Sequence, residues 1–358
     1  MRVAQARAVG RRWVRAEAAA ARSFAGAFFT GSITALAPDA ALPPTSDVDV
    51  KVVVAGGDAP AKLGKFVSDG VLLDVSFVAA ERLRRAEDVL GDHVLAGGFR
   101  GAELIVDPAG RLAAVQARVA RDFARRAWVR RRCAQAHERV HERLRGLRAG
   151  DPLADQVLAW VFATGGITHV LLVAGLRDPT VRRRYATVGE LLAEHGRADV
   201  HELLLDLLGC RTMTRRRIAH HVTALARAFD AAAAVPDAPF FFVTDISPPA
   251  RPVAIAGSSE MIAQGAHREA VFWMVATYAK CMKILDHGAP RAVSTACADG
   301  FGDLLADLGI TSFADLDARR RRVETALPRI WRVAEEIVAG TPAIEDGDAD
   351  PLVPAEPA

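Results

Sequence analysis

The feature that most constrains this chain is where its strand-like runs stop. Four apolar, β-branched runs fall within residues 23–108: AFFTG (27–31), VDVKVVV (48–54), VLLDVSFV (71–78) and ELIVD (103–107). From Arg111 onward no such cluster recurs, and helical patterns bounded by Gly, Pro or a capping Asp, Ser or Thr follow one another. A sheet can grow only from sequence that makes strands. The chain is therefore expected to divide into an α/β domain over 1–110, with a short mixed sheet, and an all-α helical bundle over 111–340. That makes the whole chain α+β, with the boundary near 108–112 at the DPAG turn. Residues 341–358 are Pro-rich and acidic and are expected to be disordered.

Within this division, residues 2–22 and 79–90 read as helical. Helices are expected beyond Arg111 over 111–148, as one or two, and over 153–176, 181–194, 199–208, 214–234, 258–286, 300–308 and 314–339. PFFFVTDI (239–246) is expected as an extended segment bracing the domain interface. The stretch after Gln156 carries no formal charge as far as Leu176, long enough to span a bilayer. Its Gly165, Gly166, Thr168 and His169 would be costly in lipid, so a buried bundle helix is expected, and no membrane association. No apolar leader follows the Arg-rich start, and a cytoplasmic protein is expected.

Composition narrows the function classes. The net charge is only +3, which does not argue for a nucleic-acid binder. Of the 46 basic residues, five are lysine (51, 62, 65, 280 and 283) and 41 are arginine, so arginine clusters carry little functional weight by themselves. Cys133, Cys210, Cys281 and Cys297 are scattered with no CxxC pair, which suggests neither a disulfide framework nor a structural zinc site.

The chemistry-bearing residues lie in the strand-rich part. Gly31-Ser32 follows the first run, Asp47-Val48-Asp49-Val50 opens the second, and Asp74 stands between Leu73 and Val75 in the third. Side chains alternate along a strand, so Asp47 and Asp49 share a face while Val48 and Val50 enter the core. Asp74 completes a three-carboxylate cluster if its strand lies beside theirs. Such a cluster suits a hard divalent cation, which keeps positions for water or phosphate. Gly-Ser at a strand end offers close backbone N–H groups and a hydroxyl to phosphate oxygens.

This order of elements resembles the polymerase-β-like nucleotidyltransferase superfamily, whose pattern is hydrophobic-Gly-(Gly/Ser), a spacer, Asp-hydrophobic-(Asp/Glu)-hydrophobic, and a third acid on a following strand. The likeness is nearer to bacterial kanamycin- and lincosamide-type antibiotic nucleotidyltransferases, which join this domain to a helical bundle. It covers residues 23–108 by motif and the rest by architecture. Ile33 and Thr34 stand where many members have an Arg, and the 14-residue spacer (33–46) is longer than usual and contains Pro43-Pro44.

The resemblance implies that Gly31 and Ser32 hold the nucleotide phosphates. Asp47 and Asp49 would hold two Mg²⁺ ions. Asp74 would ligate one of them and help deprotonate the acceptor hydroxyl. The implied reaction transfers a nucleoside monophosphate from an NTP, ATP by preference, to a small-molecule hydroxyl with release of pyrophosphate. A protein or RNA acceptor and a non-catalytic nucleotide-binding role are the alternatives.

Other motifs carry less. His137-Glu138-Arg139-Val140-His141 matches HExxH, but the surrounding Arg132, Arg139, Glu142 and Arg143 fit a polar helix face better than a dry zinc site. Arg182-Arg183-Arg184 and Arg215-Arg216-Arg217 are read mainly as solvated helix faces, from which one cation could reach a triphosphate. Lys280 and Lys283 are rarer residues and of slightly more interest, and His220-His221 is read as local packing. GGDAPAKLGKF lacks the register and the Ser/Thr of a phosphate-binding P-loop.

Overall fold

The computed structural model describes residues 1–178 and 181–346. Five strands, β1 (Phe24–Thr30), β2 (Val48–Val54), β3 (Gly64–Ser68), β4 (Val71–Ala79) and β5 (Glu103–Val106), form one mixed sheet in the order β3-β4-β2-β1-β5. β2 and β4 are parallel, and the other neighbours are antiparallel. Alternation along the strands separates two apolar faces. Helix α1 (Val3–Ala16) covers Phe29, Val48, Val50, Leu73 and Val75 with Val3, Val9 and Val14. Helices α2 (Ala86–Leu90), α3 (Leu95–Arg100) and α4 (Arg111–Asp122) cover Phe28, Val53 and Val78 on the other face with Val89, Leu90, Phe99, Leu112 and Val119. The second core of the sheet thus reaches past the DPAG turn into α4.

The strand beyond the four expected is β3. It forms a two-residue hairpin with β4 through Asp69 (φ 46°) and Gly70 (φ 75°), the double left-handed geometry of a tight Asp-Gly hairpin turn. Its run is five residues long, begins on Gly and carries Lys65, which suits a sheet edge and disguises it as loop.

Nine helices share a third core: α5 (Arg126–Arg145), α6 (Leu153–Ala174), α7 (Arg184–Glu194), α8 (Ala198–Leu208), α9 (Arg215–Ala233), α10 (Gly257–Ala263), α11 (His267–Gly288), α12 (Arg291–Asp307) and α13 (Phe313–Gly340). With α4, ten described helices follow the DPAG turn, against the eight or nine expected. Of the two readings of 111–148, the structure has the pair of helices with a break after Asp122; a further break at 264–266 divides the expected 258–286 helix, and α12 begins well before residue 300. Helix α6 is long and apolar enough to cross a membrane, and most of it is buried against α5, α11 and α13.

PFFFVTDI is irregular rather than extended. Phe242 and Ile246 are buried, a 3₁₀ turn spans Val243–Asp245, and that turn lies against β3. After α13, Ile344 is buried and Glu345 N–H bonds to Ala124 O at 3.1 Å. The remainder of the expected tail, 347–358, and Pro179-Thr180 lie outside the described residues.

Candidate metal and nucleotide site

Register builds the site. Across four neighbouring strands Lys65 pairs with Asp74, Asp74 with Asp49, and Asp49 with Thr30, so these side chains form one row on the face opposite α1. Asp47, just ahead of β2, joins them: Asp47, Asp49 and Asp74 each offer a carboxylate oxygen, and these atoms lie within 4.8 Å of one another. One step further along the sheet, Lys51 donates to Ser76 Oγ at 2.8 Å.

Gly31 shapes the edge of this cluster. It opens a 3₁₀ turn, Gly31–Thr34, directly after β1 with φ 71°, and a β-carbon there would fall 2.1 Å from Asp49 Oδ2. Glycine both permits the turn and leaves room for the carboxylate. Ser32 follows it, exposed.

Cations thread the acids. Lys65 bonds to Asp47 and, at 2.5 Å, to Asp74 Oδ2. Lys62 Nζ lies 3.2 Å from Asp74 Oδ2 and 3.1 Å from Oδ1, but off the hydrogen-bonding direction of Oδ1, which is buried without a hydrogen bond. Lys62 also reaches Asp245 Oδ1 at 3.1 Å, and Lys280 of α11 reaches Asp245 Oδ2 at 2.9 Å. Lys280 is largely buried against the rings of Phe242 and Trp273.

The crowding has electrostatic consequences. Burial, then repulsion by Asp47 and Asp74, pushes the Asp49 carboxyl up to about 7, against the pull of Lys65 and Lys51. Burial opposes charge on Lys65, but Asp47 and Asp74 outweigh it and hold the ammonium above its ordinary range. Burial likewise opposes charge on Asp245, and Lys280 and Lys62 overcome it to hold that acid below its ordinary range.

No protein-family model and no curated protein matches the chain. What it can do must be read from this geometry.

Among the described residues, Asp47, Asp49 and Asp74 are the one group of three or more His, Cys, Asp or Glu side chains arranged to share an ion. Three carboxylates fit a hard divalent cation such as Mg²⁺, and Asp74 carries a buried oxygen, Oδ1, without a hydrogen bond. The HExxH residues do not assemble a site: the His137 and His141 rings stack edge-on at 4.9 Å, His137 packs on Trp331, and Glu138 pairs with Arg145.

The arginine runs separate residue by residue. Arg182 donates to Thr45 O at 3.2 Å and Val253 O at 2.7 Å, and Thr45 Oγ1 donates to Glu260 Oε2 at 2.8 Å. These bonds fix the loop before Asp47 against the helices. Arg184 is buried over Phe272, and burial pushes its pKa down to about 9. Arg217 pairs with Asp307, which also bonds the buried His221. Lys283 pairs with Asp155.

Sequence reasoning passed over Lys62, Lys65 and Asp245. The available signal was rarity: in a chain that writes nearly every base as arginine, four of five lysines (51, 62, 65 and 280) gather around these acids. A cavity of about 860 Å³, lined chiefly by apolar residues such as Trp13, Phe24, Val52, Val54 and Phe77, also has Lys65 in its wall.

Proposed function

We propose that the chain is a metal-dependent nucleotidyltransferase that moves a nucleoside monophosphate from an NTP, ATP by preference, to a hydroxyl of a small acceptor and releases pyrophosphate. The observation that carries this reading is the meeting of Asp47, Asp49 and Asp74 beside the Gly31–Ser32 turn. In the proposed reaction the acceptor oxygen forms a bond to the α-phosphorus as the bond to the bridging oxygen of pyrophosphate breaks. Asp47 and Asp49 would hold two Mg²⁺, with Asp74 on one of them. The bound ions supply neutralisation of phosphate charge during transfer. Gly31 and Ser32 orient the phosphates, and Asp74 takes the acceptor's proton.

The Arg-rich helices support a small acceptor over RNA. Arg130, Arg139, Arg320, Arg322 and Arg329 each pair with an Asp or Glu on the same surfaces, which leaves little unbalanced charge for a phosphate backbone. Four free cysteines and a buried apolar α6 fit a reducing, cytoplasmic setting. Nucleotide binding without turnover is the second reading, favoured by Lys65 bridging two of the acids.

Pyrophosphate release from the four NTPs, with Mg²⁺ and with chelator, in the presence of hydroxyl-bearing acceptors, tests the proposal. Asp74→Asn should abolish turnover while retaining much of the Mg²⁺–NTP affinity. Nucleotide binding with no Mg²⁺-dependent release would favour the second reading, and no nucleotide binding would overturn both.

A further inference from the structure

Three carboxylates whose oxygens lie within 4.8 Å of one another repel strongly in a part-buried place, and they persist only with counter-charge. Here the counter-charge is internal. Lys65 spans Asp47 and Asp74, Lys62 spans Asp74 and Asp245, and Lys280 holds the far side of Asp245. The result is a row of alternating sign, Asp47–Lys65–Asp74–Lys62–Asp245–Lys280, running from the sheet into α11. The oxygens that Lys65 occupies, Oδ2 of Asp47 and Oδ2 of Asp74, belong to the carboxylates a divalent cation would take. The two occupants therefore compete.

Residue type bears on the outcome. An arginine fork would fix a carboxylate in planar, two-pronged geometry. A lysine ammonium is a compact charge on a flexible four-carbon stem whose donors can turn to a new acceptor. This chain uses arginine almost everywhere else. Polyphosphate arriving beside Gly31 and Ser32 would bring oxygens of the same charge as the carboxylates lost to the metal.

We propose that Lys65, assisted by Lys62, is the built-in counter-ion of the acid cluster and becomes a phosphate ligand when a divalent cation displaces it, so that metal and polyphosphate load together. This rests on the metal-site reading of the three acids. Metal alone must evict an ammonium that has nowhere comparable to go. Polyphosphate alone could draw Lys65 only by uncovering Asp47 and Asp74. Together each removes the other's obstacle, and the coupling is reciprocal.

Calorimetric titration of Mn²⁺, alone and with inorganic tripolyphosphate, tests this on the full chain and on Lys65→Met, Lys65→Arg and Asp49→Asn, with circular dichroism to confirm folding. The parent protein should bind Mn²⁺ at least about tenfold more tightly when tripolyphosphate is present, the scale of one hydrogen bond to a charged group. Lys65→Met should bind Mn²⁺ alone about tenfold more tightly than the parent and lose most of the tripolyphosphate enhancement. Should that variant not fold, Lys65→Arg decides: it keeps the counter-charge but should weaken Mn²⁺ binding or reduce the enhancement. Parent-like Mn²⁺ affinity and enhancement in the folded Lys65 variants, with binding lost in Asp49→Asn, would overturn the counter-ion proposal and leave the metal site standing. No Mn²⁺ binding to parent or variants under either condition would overturn the metal site itself.

Discussion

Asp49 and Arg132 are both charges withdrawn from water, and the chain treats them in opposite ways. Arg132, on α5, is almost fully buried, yet its guanidinium donates to Leu90 O at 3.1 Å and Phe123 O at 2.7 Å and lies over the Phe123 ring. Those carbonyls sit at the C-terminal ends of α2 and α4, where helices leave acceptors unpaired and the dipole favours a cation. Arg319, on α13, does the same at the ends of α8 and α12, bonding Leu207 O and Leu308 O. In both cases one buried charge finishes two helices. Asp49 finishes no helix: burial and then the repulsion of Asp47 and Asp74 outweigh the pull of Lys65 and Lys51. Arg132 and Arg319 are surrounded by the acceptors they need, whereas the surroundings of Asp49 disfavour its charge.

The sharpest way to break this contrast is to exchange the consequences. Asp49→Asn removes a charge that the fold does not favour, so metal-free protein should melt at an unchanged or higher temperature. Transfer should fall by at least about 10²-fold, because Asp49 would hold the ions, whose neutralisation of phosphate charge is worth several kcal/mol. Pyrophosphate release and a thermal melt on the same preparation check both halves. A variant that loses stability along with activity would place Asp49 among the scaffold charges.

Arg132→Met should do the reverse. The apolar stem is replaced, but two carbonyls lose their donor, at about 1–3 kcal/mol each. Denaturant unfolding should show that loss, while nucleotide affinity per folded molecule stays at the parent level. Loss of affinity in the folded variant would mean that the strut between α5 and the sheet-side helices also sets the geometry of the site.

The two kinds of charge were unequally legible. Asp47, Asp49 and Asp74 stood out because an acid between apolar strand residues breaks a pattern, and parallel pairing of β2 with β4 then brought Asp49 and Asp74 side by side. Arg132 and Arg319 were hidden, since each is one arginine within a run whose other members face water, and helical phase alone does not reveal which member meets two helix ends. β3 was hidden for a related reason: a short edge strand with a lysine and an initial glycine looks like loop until its Asp-Gly hairpin is recognised. With β3 went Lys65, and with the irregular 239–246 segment went Asp245. Their roles depend on contacts 9 and 183 residues apart in the chain, which no local pattern encodes.

Ser32 offers a smaller test. It is exposed beside Gly31 and takes no part in either core, so Ser32→Ala should leave unfolding unchanged. If its hydroxyl meets a phosphate oxygen, NTP affinity should drop by about 1–2 kcal/mol. Unchanged affinity by titration would remove Ser32 from the site and leave the backbone of the Gly31 turn as the phosphate contact.

The smallest expected effect lies between the two regions, at His93. Its ring Nδ1–H and its backbone N–H both donate to Gln135 Oε1, at 2.6 and 2.7 Å, which joins the α2–α3 connection to α5. Burial holds this imidazole below its usual 6.5, opposed by the Gln135 bond and Asp92 and reinforced by Arg143 and Arg139, with the His169 ring 5.8 Å away. The folded state therefore resists a proton that the unfolded chain accepts. Its contribution to stability is complete above pH 6.5 and drains away as the pH falls toward the lower folded value. The Asp49 carboxyl, held up at about 7, gains stability over the same range, so the test is made in Asp49→Asn: there melting temperature should decline on acidification from about pH 7.5 to about pH 5.5, and adding His93→Phe should flatten part of that decline. Part, because His137, His201 and His221 are shifted in the same direction by burial. An unchanged slope in the variant would assign the acid sensitivity to those three, and the connection between sheet and bundle would then rest on charges satisfied like Arg132, with no titrating group in it.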